Sequence, residues 1–200
     1  RLTDVTGVQT CALPICTVTA GIIDSSLTCG ALDIDAETQS TVYAFATGVG
    51  ASGVVAVQAL IAANVIVNTT SAVISNSTVD AAGAVSLTAK NTSTIDAFVV
   101  GVAAGGTAAV EVPIVGNDIT NTTEAKVTDS TVTTDATLTL TAQSCNVIRA
   151  ISVGVSAAGT AAVSVAGLGN VITNTVAALI EGAVITAVGG VSLAADDLAP

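Results

Sequence analysis

The stretches AVSLTA (Ala84–Ala89), TLTLTA (Thr137–Ala142) and GVSLAA (Gly190–Ala195) alternate apolar and polar positions. Val85, Leu87 and Ala89 point one way and Ser86 and Thr88 the other, the period of a half-buried strand. SNSTVDAAG (75–83) and TDSTVTTDA (128–136) read as short strands bounded by turn formers. Thr, Val and Ile favour strands over helices, and no sustained 3.6-residue pattern with caps is present. The chain therefore reads as all-β.

The pattern recurs. GVGASGVVAV begins at Gly48, GVAAGGTAAV at Gly101 and GVSAAGTAAV at Gly154, a spacing of 53 residues. At that shift, without gaps, Asn64, Asn117 and Asn170 share a column, as do Asn68, Asn121 and Asn174, and Leu87, Leu140 and Leu193. Units run over 39–91, 92–144 and 145–197, and 17–38 matches the second half of a unit with one residue deleted. Self-similarity at one period predicts a solenoid, here a parallel β-helix. With ordinary strands of about 5–6 residues, each unit is expected to form two coils of about 26 residues, with three shorter coils as the alternative. The two Asn columns are expected to be structural ladders of stacked side chains. Gly105, Gly106 and Gly159 are expected to supply positive φ at a sharp corner, with the flanking alanines letting the walls approach.

Composition narrows the chemistry. The 200 residues include three aromatics (Tyr43, Phe45 and Phe98) and no Met, Trp or His, so the core must be thin and built of small side chains. The net charge is −11, and Arg1, Lys90, Lys126 and Arg149 are the only basic residues. A nucleic-acid groove needs clustered cations, so no nucleic-acid partner is expected. Cys11, Cys16, Cys29 and Cys145 show no metal-binding spacing and do not recur with the repeat, so they read as isolated thiols or one chance bridge. A β-helix lyase or glycosidase would need converging carboxylates, usually with a basic partner. Asp33 and Asp35 share a face, and Asp24, Asn76 and Asp129 nearly share a column, but neither set has a local basic partner. They read as solvated turn residues, with a weak calcium site at Asp33 and Asp35 as the minority view. No phosphate loop or nucleophile elbow is present. No catalytic residue, metal or cofactor is therefore assigned. Asn68, Asn76, Asn91 and Asn121 each open an Asn-X-Ser/Thr triplet and read first as turn and ladder residues.

From Ile95 to Val102 both strand faces are apolar. Either a bulge or a further strand layer covers the second face, or Phe98, Val100, Val102, Ile151, Val153 and Val155 form an exposed lateral binding stripe. The uncharged run from Thr38 to Val79 is hydropathic enough to suggest a membrane span. Yet the aligned second unit carries Asp96, Glu111, Pro113 and Asp118, and the third carries Arg149, so no transmembrane segment is expected.

Residues 1–15 have a different texture and match no repeat position. VTGVQTCALPI resembles the conceptual translation of a sequencing adapter, and the segment is expected to be a non-native artefact, leaving 16–200 as a single solenoid segment. With no initiator Met and a last unit that stops partway, the chain reads as a piece of a larger frame. Over 17–200, the order GVAAGGTAAV…VGNDITNTTEAKV…STV…LTLTA resembles the repeats of filamentous-haemagglutinin-like and leukotoxin-type adhesins and of autotransporter passengers. That resemblance implies a structural or adhesive, non-enzymatic stalk on the outer surface of a Gram-negative-type bacterium or secreted from it. Its partners would be a host-surface protein or glycan, or neighbouring solenoids. The competing expectation is the scaffold of a carbohydrate-active β-helix enzyme whose active coil lies outside this chain.

Overall fold

The computed structural model describes the backbone of residues 3–198 and the side chains of residues 12–198. Among the described residues there are strands and turns but no helix. The strands are β1 (Thr3–Ala12), β2 (Ile15–Ile23), β3 (Ser26–Cys29), β4 (Leu32–Ser52), β5 (Val55–Ser75), β6 (Thr78–Ala81), β7 (Val85–Gly105), β8 (Ala108–Thr128), β9 (Thr131–Thr134), β10 (Leu138–Ala158), β11 (Ala161–Ser164), β12 (Gly167–Glu181), β13 (Val184–Ala187) and β14 (Val191–Asp197). All pairing is parallel. The first sheet is β4-β7-β10-β14 and the third is β3-β6-β9-β13. In the second, β5 and β8 lie between β1 and β2 on one side and β11 and β12 on the other. This is a parallel β-solenoid.

The register corrects the expected coil count. Leu87 pairs with Leu140, and Asn64 with Asn117, a step of 53 residues. One unit is therefore one coil, made of two 21-residue strands and one 4-residue strand. Mean strand length misleads here because the coil is flat. Two long walls of small side chains bury each other's inner faces, and a third wall closes one end. Residues 17–38 fall into the same stack, and the deleted residue lies in the β3–β4 turn, where the pairing step changes from 52 to 53 (Ser26 with Thr78, Leu32 with Val85).

The interior is layered across the coil. At the three-walled end, Val79, Val85, Leu87, Leu140, Ile74 and Val127 form an aliphatic core. A buried polar belt follows, including Asn68, Asn91, Ser93, Asn121 and Asn146. Beyond it Leu60, Ile66, Ile95, Val99 and Ile119 form a second core. At the tip, Ala56, Ala103 and Ala109 bring the walls together. That taper explains the thrice-written motif, which builds the tip of each coil.

Two expectations about this motif part company. The alanines close the walls as expected. Gly105, Gly106 and Gly159, however, are not positive-φ positions; those glycines are Gly182 and Gly190. The tip glycines serve close approach instead. A Cβ would run into the carbonyl of Ala108 at Gly105, of Gly53 at Gly106 and of Gly106 at Gly159. Positive φ recurs in another column, at Asp24 (50°), Asn76 (48°), Asp129 (49°) and Gly182 (62°), where the second sheet turns into the third. Short polar side chains and glycine tolerate this conformation best. Beside it Ser77 and Ser130 staple the stack, the Ser77 amide donating to Ser130 Oγ at 3.0 Å.

A proline marks the one interruption on the β8 side. The Val165 amide donates to the Glu111 carbonyl at 2.9 Å. The next bond of a parallel ladder would return from residue 113, and Pro113 has no N–H to give. The neighbouring coil accordingly breaks into β11 and β12 there. Of the expected artefact, residues 1 and 2 lie outside the described residues, and of 3–11 only the backbone is described. That backbone runs as β1, with Thr3 opposite Val55.

Candidate functional site

The outward face of the first sheet is where the chain gathers its unusual side chains. Alternation along β7 sends Ile95, Ala97 and Val99 into the core and Phe98, Val100 and Val102 outward. Ile151, Val153 and Val155 of β10 pair with these three, so the six stripe residues form one contiguous patch. Among the described residues no further layer covers it: Phe98 is 40% exposed and Ile151 55%. Below them, β4 adds Phe45, Thr47 and Val49 in the same columns.

Register also adds residues that strand-by-strand reading missed. Tyr43, Asp96 and Arg149 form one column, and Phe45, Phe98 and Ile151 the next. All three aromatic residues of the chain therefore stand on this face, with Tyr43 79% and Phe45 68% exposed. The Phe45 and Phe98 rings stack with centroids 5.6 Å apart and planes 8° from parallel. Arg149 Nε donates to Asp96 Oδ1 at 2.6 Å and Nη2 to Oδ2 at 2.9 Å, a two-pronged pair between adjacent coils. The guanidinium holds the Asp96 carboxyl below its ordinary range, and the carboxylate raises Arg149. Tyr43, Phe45, Phe98, Ile151 and this neutralised pair line a shallow depression. A search for charged or aromatic residues 53 apart finds this cluster in the sequence; a search along single strands does not.

The two Asn columns behave differently. Asn64 Nδ2 donates to Asn117 Oδ1, and Asn117 Nδ2 to Asn170 Oδ1, both at 2.8 Å, a ladder along the axis. Asn68, Asn121 and Asn174 are in register but bond across to the opposite wall. Asn121 Nδ2 reaches Asn146 Oδ1 at 2.7 Å, and Asn146 Nδ2 reaches Asn174 Oδ1 at 2.8 Å. The second column is thus a zigzag between walls. It ties the two long walls together through the buried polar belt.

Glu111 is a further residue that sequence reading passed over. It faces inward in one column with Gln58 and Ser164, opposite Gly48, Gly101 and Gly154. It is fully buried, neither carboxylate oxygen has a hydrogen-bond partner, and burial raises its pKa. Its carboxylate packs on Gly101, where a Cβ would overlap it. The wall without side chains on one side makes room for the long side chain on the other.

Asp33 and Asp35 stand exposed on the first coil, and no group of three or more metal-ligating side chains converges among the described residues. Cys16, Cys29 and Cys145 are free thiols; the side chain of Cys11 lies outside the described residues. No helix of the described residues is long and apolar enough to cross a membrane. No protein-family model, curated protein or solved structure matches this chain.

Proposed function

We propose that this chain is a segment of a rod-like stalk of a bacterial surface or secreted protein, with a structural and adhesive role. One observation carries the reading. Coils stack in fixed register, and all three aromatic residues stand exposed on one lateral face beside Val49, Ile151, Val153 and Val155. A rod of this kind lengthens by one strand spacing, about 4.8 Å, for each coil. Its side walls, not a pocket, are its working surface. The lateral face is apolar with a neutral polar border, the composition of contact patches rather than of solvated sheet. In this reading it contacts a host-surface protein or glycan or a neighbouring rod.

The test uses the native chain and a Tyr43→Ser/Phe45→Ser/Phe98→Ser variant. Anilinonaphthalene sulfonate fluorescence and retention on immobilised epithelial-cell membranes are measured for both. The reading expects dye uptake and retention by the native chain, both several-fold lower in the variant. Equal signals from the two, or none from the native chain, would remove the lateral contact role. Small-angle scattering tests the rod independently of any partner: a cross-section that stays constant as units are added supports it, and one that grows sinks it.

A further inference from the structure

Four triplets in this chain fit the Asn-X-Ser/Thr acceptor pattern, and the fold treats one of them differently. In a strand, residues two apart share a face, so the Asn and its hydroxyl residue turn inward or outward together. Asn68 with Thr70, Asn91 with Ser93 and Asn121 with Thr123 all lie in long strands and face the core, buried. Their groups are committed to the interior. Thr70 Oγ1 donates to Thr38 Oγ1 at 2.8 Å, and Asn121 Nδ2 donates to both Ser93 Oγ and Asn146 Oδ1.

The fourth triplet opens in a turn. Asn76 and Thr78 are both exposed, with Ser77 buried between them. A transferase must read the amide and the hydroxyl together, and here both are on the outside. Asn76 Nδ2 donates to Asp24 Oδ1 at 2.6 Å. A primary amide carries two N–H groups, so this bond leaves one for replacement. The turn itself does not require an amide, since Asp24, Asp129 and Gly182 fill the same column.

We propose that Asn76 is an N-linked glycosylation acceptor. The side-chain nitrogen attacks the anomeric carbon of a nucleotide- or lipid-pyrophosphate-activated sugar. A C–N bond forms as the C–O bond to phosphate breaks, and the proton lost from the amide leaves with the phosphate. The retained N–H keeps its bond to Asp24. The acceptor lies where the second and third sheets meet, on a different wall from the aromatic face, so a glycan there leaves that face open.

The experiment uses a soluble N-glycosyltransferase first shown to modify a peptide spanning residues 72–82, with its nucleotide-activated hexose. Native chain, urea-denatured chain and a Thr78→Ala variant are treated, then analysed by intact mass and peptide mapping. One hexose on Asn76 of the native chain, several on the denatured chain and none at Asn76 of the variant is the expected result. An unmodified native chain overturns the proposal, as does native modification at Asn68, Asn91 or Asn121.

Discussion

Replacing Glu111 by Gln tests the account of the coil interior most directly. The carboxyl is fully buried without a hydrogen-bond partner, and its pKa is raised by desolvation. A carboxyl raised in the fold keeps its proton after the unfolded chain has released its own near the ordinary value of 4.5. The unfolded state then binds fewer protons, so native stability falls as pH rises above that value. The slope is about 1.4 kcal/mol per pH unit until the buried group itself ionises. An unpartnered buried polar group costs on the order of 1–3 kcal/mol, more when charged. Gln has nearly the same shape, cannot ionise, and already stands in this column at Gln58. The variant is therefore expected to match the native chain at pH 4.5 and to exceed it by about 2 kcal/mol at pH 7.5. For a chain of this size that is roughly 4–8 °C in melting midpoint. Melting followed by circular dichroism at both pH values reads the difference, and the other carboxylates cancel in the comparison. A gap that is equal at the two pH values, or a native chain more stable at pH 7.5, would refute the reasoning.

Other outcomes follow from the same geometry. Gly101→Ala places a Cβ against the Glu111 carboxylate, and overpacking of this kind should cost about 1–3 kcal/mol by urea unfolding; adding Glu111→Ala, which removes the carboxylate, should restore most of it. Asn117→Ala removes both bonds of the axial ladder and leaves the buried Asn64 N–H unpaired, while the exposed Asn170 turns to water, so a loss on the order of 1–3 kcal/mol is expected in the same assay. Arg149→Ala should raise the Asp96 titration toward its ordinary value of 3.8, read by carboxyl-carbon NMR, with no broadening of core resonances. Because the depressed carboxyl stabilises the fold above that value and loses the contribution below it, the variant should also show a shallower decline in stability under acid.

Much of the fold is legible in the chain because the repeat states the pairing. Alternation at Val85, Leu87 and Ala89 marks the inward face, and the shift of 53 names the residues above and below. The coil length was less accessible. Nothing local separates one flat coil from two narrow ones, since the turns at Gly106-Thr107 and Asp129-Ser130 are both two-residue breaks between strands. The difference lies in which strands face each other. The same gap hides the zigzag through Asn121 and Asn146, whose positions lie 25 residues apart on opposite walls. The two apolar faces around Phe98 are plain in the sequence, but which is outermost depends on the absence of another layer. Tyr43, Asp96 and Arg149 become one cluster only through register.

The constancy of the pairing step has a consequence at the level of the gene. From Leu32 onward, strand positions in one coil have a structural twin 53 residues further on, such as Ser93 beneath Asn146 or Leu87 beneath Leu140. Unequal recombination between any two twin codons therefore adds or removes a whole coil without a frameshift in the stacking, wherever the breakpoint falls. The one single-residue deletion among the described residues of this stack lies in the bend before Leu32, where no pairing is lost. Such a coding sequence can change the reach of its product in single steps while leaving each remaining layer as it was.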